Sequence, residues 1–430
     1  MIPDLSPDTA PVVARTDPEA ERLFMEIMAD PLSADPYAGY QRLRELAPAL
    51  LVGGNMLVLS RYADCDAVLR QRGFGKGGQI LGSEDRGDPS ESPDSVMWYF
   101  RDSMLYANPP DHTRLRRLVS SAFTARHVAA LRPAVTARAR ALLDALAAEP
   151  DGDFMSAVAL PLPVNVICDL LGIPEADRLS FTPKVHALVS AMEPAAEPET
   201  QAPGAQAAAD LSGYLSELLA EKGARPADDL LSRLVAAGDD DDALTKDEMI
   251  STALLLFIAG FETTTNLLGN GLHALLSRPD QLDRLRADPA LIPAAVEELL
   301  RYDSPVQLTA RTVHEPATVT GAELTPGMLV LTLLGAANHD PAQFSNPATL
   351  DVGRPDGGHL SFAAGIHFCL GAHLTQLEAQ VFLEQLALRY DIAPAGEPAR
   401  RPGFTLRGFQ RMPVTVSPRP GSRRDRDEQE

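Results

Sequence analysis

The residues best placed to do chemistry cluster near the C-terminus, in Phe362-Ala-Ala-Gly365-Ile-His367-Phe-Cys369-Leu-Gly371, ahead of a helix expected from about Leu370 to Tyr390. A cysteine there meets free backbone N–H groups and the positive end of the helix dipole, which favours thiolate over thiol and so metal ligation. Gly371 would let the backbone approach a flat ligand closely. Cys65 and Cys168 lie in apolar helical stretches and read as inert core residues. A second group is Glu262 and Thr263, just after Ala259 and Gly260. Helical spacing puts Ala259, Glu262, Thr263 and Asn266 on one face, where small residues make room and polar ones can move protons. Taken alone, the same residues read more readily as a solvated patch or a tertiary hydrogen bond. The run Thr263-Thr264-Thr265 competes for carbonyls of the preceding turn, so a bend or opening of the helix is expected there. His112 and Arg116, four apart on a proline-started helix, project from one face and could pair with carboxylates. Glu298 and Arg301, at i,i+3, are without context an ordinary surface ion pair.

These groups need elements to hold them. The spacing predicts a long helix from about Thr245 to Ser277, opened by a capping box of Thr245 and Glu248. Its middle, ALLLFIAGF, is apolar all round, which marks a helix buried inside the protein. Upstream, YAGYQRLREL reads as a short amphipathic helix, and LLVGGNMLVLS as two strands turning at Gly53-Gly54, the second being Met56 to Leu59. Helix resumes near Tyr62. From Gly73 to Pro110 the chain is loop-like around an aromatic island of Trp98, Tyr99 and Phe100, and Glu193 to Gln206 reads as an irregular hinge or lid. Both ends read as loose: residues 1–30 as a flexible segment and 418–430 as a disordered tail.

Bulk composition narrows the function classes. With 430 residues, 45% of them hydrophobic, the chain can bury a large core. Lys+Arg of 38 against Asp+Glu of 59 gives a net charge of −21, which argues against nucleic acid or an anionic membrane as partner. Three scattered cysteines and an acidic, proline-bearing start point to a cytoplasmic protein without disulfides. The most apolar stretch, Ala253 to Phe261, falls short of the ~20 residues that span a bilayer.

The cysteine segment resembles the haem-binding signature of the cytochrome P-450 superfamily, of the form Phe-Gly-x-Gly-x-His-x-Cys-x-Gly, with Ala363 where that pattern usually has glycine; a slightly tighter loop with ligation intact is expected. Other landmarks of the family follow in order from about Asp35 to Val416. Glu298-Leu-Leu-Arg301 matches its ExxR pair, and Phe344, Pro347, Asp351 and Arg354 match the segment that brings a second arginine to the same glutamate.

The resemblance implies a mainly α fold, a large helical domain with a long central helix and a small β-rich region, over residues 31–417. It implies haem b (iron protoporphyrin IX) with Cys369 as axial iron ligand, and Ala259 and Gly371 beside it. His112, Arg116, Arg311 and His367 would meet the haem propionates, while Glu298, Arg301 and Arg354 lock the core on the cysteine side. Glu262 and Thr263 match the acid-alcohol pair that relays protons and steadies oxygen. The implied activity is a monooxygenase that activates O2 with two electrons from an iron-sulfur ferredoxin and its NAD(P)H-dependent reductase. Arg114 and Arg117 are candidates for docking the ferredoxin. The substrate would be a lipophilic small molecule, of polyketide or macrolide type, hydroxylated or epoxidised in a pocket lined by Trp98, Phe100, Ala259, Val306 and Phe409, and the protein a monomer. Three rivals remain: a non-catalytic helper subunit of the same fold, a zinc site at His367, Cys369 and His373, and a peroxygenase.

Overall fold

The computed structural model describes residues 13–30, 32–33, 35–77, 95–193, 198–236, 244–355 and 357–419. The N-terminal segment expected to be loose up to residue 30 instead contains helix α1 (Pro18–Ala29). Asp17 accepts the backbone N–H groups of Glu19 and Ala20, each at 3.0 Å, and Ala20 and Phe24, four apart, bury one face. That cap and stripe outweigh the Pro and Asp content; residues 1–12 lie outside the described residues. Helix α2 (Tyr37–Leu46) and the hairpin of β1 (Ala49–Val52) and β2 (Met56–Leu59) fall where their patterns put them. The hairpin turn holds Gly53 at φ +56° and Gly54 at φ +76°, which residues with a Cβ rarely adopt.

Helix α3 (Tyr62–Arg70) leads to the two-residue strand β3 (Phe74–Gly75). Of the expected loop from 73 to 110, residues 78–94 lie outside the described residues; Val96–Phe100 is a 3-10 turn capped by Ser95, and α4 (Asp111–Ser120) follows. Beyond the helices Ala125–Ala130 and Arg132–Ala147 lie α5 (Pro161–Leu171), α6 (Thr182–Ala191) and α7 (Pro198–Ala224). The stretch from Glu193 to Gln206 read as a hinge, yet it is helical from Pro198 on, with 194–197 outside the described residues. The reason is packing: a Cβ on Gly204 would stand 2.3 Å from the Ala191 Cβ, so the small residues let α7 press against α6.

The centre of the molecule is α8 (Lys246–Leu276). Its capping box is formed, with Thr245 Oγ1 accepting the Glu248 N–H at 3.2 Å and the Glu248 carboxylate accepting the Thr245 N–H at 2.8 Å. By length and composition α8 could cross a membrane, but here it is buried against α5, α7, α9 (Ile292–Tyr302) and α10 (Ala372–Arg389). The helix does not open at the threonines, its assignment being unbroken from Lys246 to Leu276. The Thr263 hydroxyl donates to the Ala259 carbonyl at 3.2 Å, adding to the helix ladder without opening it.

Beside the helices lies a five-stranded sheet in the order β1-β2-β5-β4-β3, with β4 (Thr309–Val313) and β5 (Leu329–Thr332). Only the β2–β5 pairing is parallel, joining Leu57 to Val330 across most of the chain. β3 pairs Phe74 with Val313 and Gly75 with Thr312. A smaller sheet joins Gly152–Asp153, β6 (Tyr390–Pro394) and β7 (Pro413–Pro418), so the ordered chain runs past the expected boundary at 417; residues 420–430 lie outside the described residues.

Candidate active site

A cavity of about 490 Å³ opens between α8 and the loop that precedes α10. Ala259, Glu262 and Thr263 reach it from α8, His112 and Arg116 from α4, Arg311 from β4, and His367, Cys369 and Gly371 from the loop. Phe100 and Val306 also line it, whereas Trp98 and Phe409 do not. Each of those two aromatics is covered by a guanidinium instead, Arg101 at 3.6 Å over the Trp98 ring and Arg400 at 3.8 Å over Phe409. Gly260 also lines the cavity, and a Cβ there would stand 2.6 Å from Ile167 on α5, so glycine lets the two helices lie close together. Asn266, expected on the same face as Glu262, packs against Gly408 instead.

The cysteine loop is held from several sides. A Cβ on Gly365, at φ +70°, would come within 2.2 Å of the Leu69 carbonyl, so this position admits only glycine. Arg116 donates to the carbonyls of Ile366 (2.9 Å) and Phe368 (2.6 Å), and the Cys369 N–H donates to the Phe362 carbonyl at 2.9 Å. Arg116, expected to face a propionate, thus spends its guanidinium on the loop. Ala363 sits at φ +55°, a left-handed conformation that costs an L-residue about 1–2 kcal/mol. Burial pushes the Cys369 thiol up, and the N–H groups of Gly371 and Ala372 and the Arg116 charge only partly offset it. The helix start by itself therefore does not yield a thiolate; a cation at Sγ would.

Around the same cavity Lys76, Arg311, His112 and His367 stand without a carboxylate partner among the described residues. His112 Nε2, His367 Nε2 and Arg311 Nη2 are buried and have no hydrogen-bond partner among the described residues. The two imidazoles lie 4.4 Å apart. Burial pushes Arg311 down to about 10, and burial with the charges of Lys76, Arg311, His112 and Arg116 pushes His367 down to about 2. Sequence reasoning missed Lys76, a lone lysine between Gly75 and Gly77 with no motif around it. Two polar atoms left bare on buried imidazoles and one on a buried guanidinium are costly unless an acceptor meets them.

On the other side of Cys369 the Glu298–Arg301–Arg354 cluster is satisfied. The Glu298 carboxylate meets Arg301 at 2.7 and 2.9 Å, Arg354 Nε at 2.9 Å and the Asp351 N–H at 2.9 Å. Arg301 also donates to the carbonyls of Asn338 and Pro347, and Arg354 to those of Ser345 and Thr349. On α10, Glu378 is wholly buried with neither oxygen partnered among the described residues, and burial pushes it well above the usual carboxylate range.

Two further contacts were not foreseen. Glu262 is ion-paired to Arg401, from a C-terminal segment remote in sequence, while its Oε2 is buried with no partner among the described residues. Glu193 accepts the backbone N–H groups of Phe404 (3.1 Å), Thr405 (2.8 Å) and Leu406 (3.1 Å), tying the end of α6 to the strap that covers the cavity. Arg114, a candidate docking residue, is paired with Glu248 and so belongs to the start of α8.

A haem fits this donor set. Its two carboxylates are the acceptors that His112, His367 and Arg311 lack, and its iron is the cation that a buried Cys369 thiolate requires. Among the described residues no three His, Cys, Asp or Glu side chains converge as a ligand set, so the rival zinc reading finds no site.

Comparison with known proteins agrees. The sequence profile of the cytochrome P-450 family matches residues 198–414. The chain is 40% identical to the cytochrome P-450 monooxygenase PikC of Streptomyces venezuelae, over 91% of this chain and 94% of that one. It is 36% identical to the 6-deoxyerythronolide B hydroxylase of Saccharopolyspora erythraea, over 91% and 98%. Among solved structures it resembles the monooxygenase TamI with tirandamycin C bound (TM-score 0.78, 35% identity, 90% of this chain and 99% of that one). It also resembles the P-450 BioI in complex with an acyl carrier protein (TM-score 0.83, 34% identity, 91% and 100%). With fold, donor set and relatives in agreement, the chain belongs to the cytochrome P-450 family and is a haem-dependent monooxygenase.

Proposed function

We propose that this monooxygenase hydroxylates or epoxidises a lipophilic small molecule of the polyketide or macrolide type. The observation that carries the reading is the cavity itself, which has Cys369 and unpartnered donors at one end and Phe100, Val189, Met192, Leu255, Ile258 and Leu308 along its walls. The relatives named for 6-deoxyerythronolide B and tirandamycin C support the substrate class. Cys369 would ligate the haem iron, His112, His367 and Arg311 would hold the propionates, and the Glu298–Arg301–Arg354 cluster fixes the backbone behind the loop. Bound haem supplies the activation of O2. Thr263 presents its hydroxyl to the cavity from one turn above Ala259, and Glu262, one residue earlier, passes protons towards it. Electrons come from a ferredoxin and its NAD(P)H-dependent reductase, with Arg114 and Arg117 on α4 as the docking candidates. The chain acts as a monomer with one haem domain.

The test is the absorption spectrum of the reduced protein with carbon monoxide. A far red-shifted Soret band is expected in the parent and its loss in Cys369→Ala; a band at the position of histidine-ligated haem in the parent would overturn the reading. Thr263→Ala should keep that band yet consume reductant with less product; unchanged product per reductant would remove Thr263 from the proton path.

A further inference from the structure

We propose that Lys76 is a haem-binding residue of this chain, its ammonium joining His112, Arg311 and His367 in the seat for the propionates. The inference rests on the haem-thiolate reading above and extends it to a residue outside the signature motifs.

The argument starts from strand register. β3 pairs Phe74 with Val313 and Gly75 with Thr312, so the next residue, Lys76, comes abreast of Arg311 on β4. Like charges facing each other across an antiparallel pair repel. Lys76 Nζ finds only neutral acceptors, Thr309 Oγ1 at 3.4 Å and the Ala310 carbonyl at 3.2 Å, while Arg311 donates to the same Ala310 carbonyl at 2.9 Å. Among the described residues neither cation has a carboxylate partner. Burial and the Arg311 charge together push the Lys76 ammonium well below its ordinary range.

The lysine is also held in place. Its N–H donates to Asn108 Oδ1 at 2.8 Å, and its carbonyl accepts from Asn108 Nδ2 at 2.6 Å and faces His314 Nε2 at 3.0 Å. A Cβ on Gly75 would lie 2.3 Å from Asn108 Oδ1 and 2.6 Å from His314, so glycine is what lets this clamp close. A clamped cation lining the cavity beside a second cation, with no acid to balance either, is a seat for an anion. Haem brings two negative charges to two positive ones, and the imidazoles add further donors. Arg116, which also lines the cavity, gives one N–H from each of Nη1 and Nη2 to the loop carbonyls.

The test uses full-length haem-loaded protein carrying Lys76→Met or Lys76→Arg, read by haem transfer to excess apomyoglobin and by the ferric/ferrous midpoint potential. Lys76→Met should release haem about tenfold faster, the size expected for one charge-assisted hydrogen bond. Its potential should fall, since one positive charge fewer favours the ferric state, while Lys76→Arg stays near the parent. The apoprotein of Lys76→Met should unfold no more readily than the parent apoprotein, because a repulsion has been removed. The proposal is overturned if Lys76→Met matches the parent in both readouts, if Lys76→Arg is as defective as Lys76→Met, or if the apoprotein is destabilised as much as the holoprotein. A parent with the thiolate band and a silent Lys76→Met would sink this proposal alone; a parent without the band would sink the reading beneath it as well.

Discussion

The two sides of Cys369 use the same residue types to opposite ends. Behind the loop, Glu298, Arg301 and Arg354 form a closed cluster in which one acid serves two guanidiniums, and backbone carbonyls take the remaining N–H groups. In front of it, Arg311, Lys76, His112 and His367 crowd together, and among the described residues they have no carboxylate partner and three of their nitrogen atoms have no hydrogen-bond partner. The first arrangement is complete as folded, and its charges stabilise the chain that carries them. The second stores repulsion and desolvation that only an anionic ligand relieves. An arginine's role here is read from whether its partners come from the chain, more than from its burial, since Arg301 and Arg311 are 1% and 2% exposed.

That contrast can be broken experimentally. Glu298→Ala leaves two buried guanidiniums without their acid, a loss of about 3–5 kcal/mol, so urea unfolding should shift strongly or soluble protein should vanish even without haem. A small shift would mean the cluster is not the lock described. Arg311→Met should do the reverse: the apoprotein is as stable as the parent or more so, while haem affinity drops by about one to two orders of magnitude. Equal destabilisation of apo- and holoprotein would erase the distinction. The smallest effect is expected at Glu378, which is neither locked nor facing the ligand. Its folded pKa lies above the unfolded value, so the native state holds a proton that the unfolded chain releases above about pH 4, and stability falls as pH rises from there towards the folded pKa. Glu378→Gln should flatten that slope and be the more stable protein at neutral pH, by unfolding at pH 5 and 7.5; parallel curves for the two proteins would show that the acid is not held neutral.

Local signals carried the elements well. The helix from Tyr37, the Gly53-Gly54 hairpin and the capped start of α8 rest on neighbouring residues whose spacing and turn chemistry leave few alternatives. Where the reading failed, tertiary contact had overridden local character. Gly204 and the alanines around it look like a hinge until α6 lies against them, and Pro18 to Ala29 looks loose until Phe24 has a core to enter. In the site, residues inside motifs were legible, and residues recruited singly from afar were not. Arg401 reaches Glu262 across 139 positions, and Lys76 comes abreast of Arg311 through a two-residue strand. Trp98 and Phe409 misled because aromatic side chains serve as platforms for arginine as readily as walls for a ligand.

The single carboxylate of Glu193 has a consequence for how the cavity opens. Three successive N–H groups of the strap at 404–406 end on one side chain, so they cannot be released one by one without leaving the others strained. Parting the strap from Glu193 gives up all three bonds, at roughly 1.5 kcal/mol for each bond to a charged acceptor. One side chain thus ties the roof of the cavity to the end of α6.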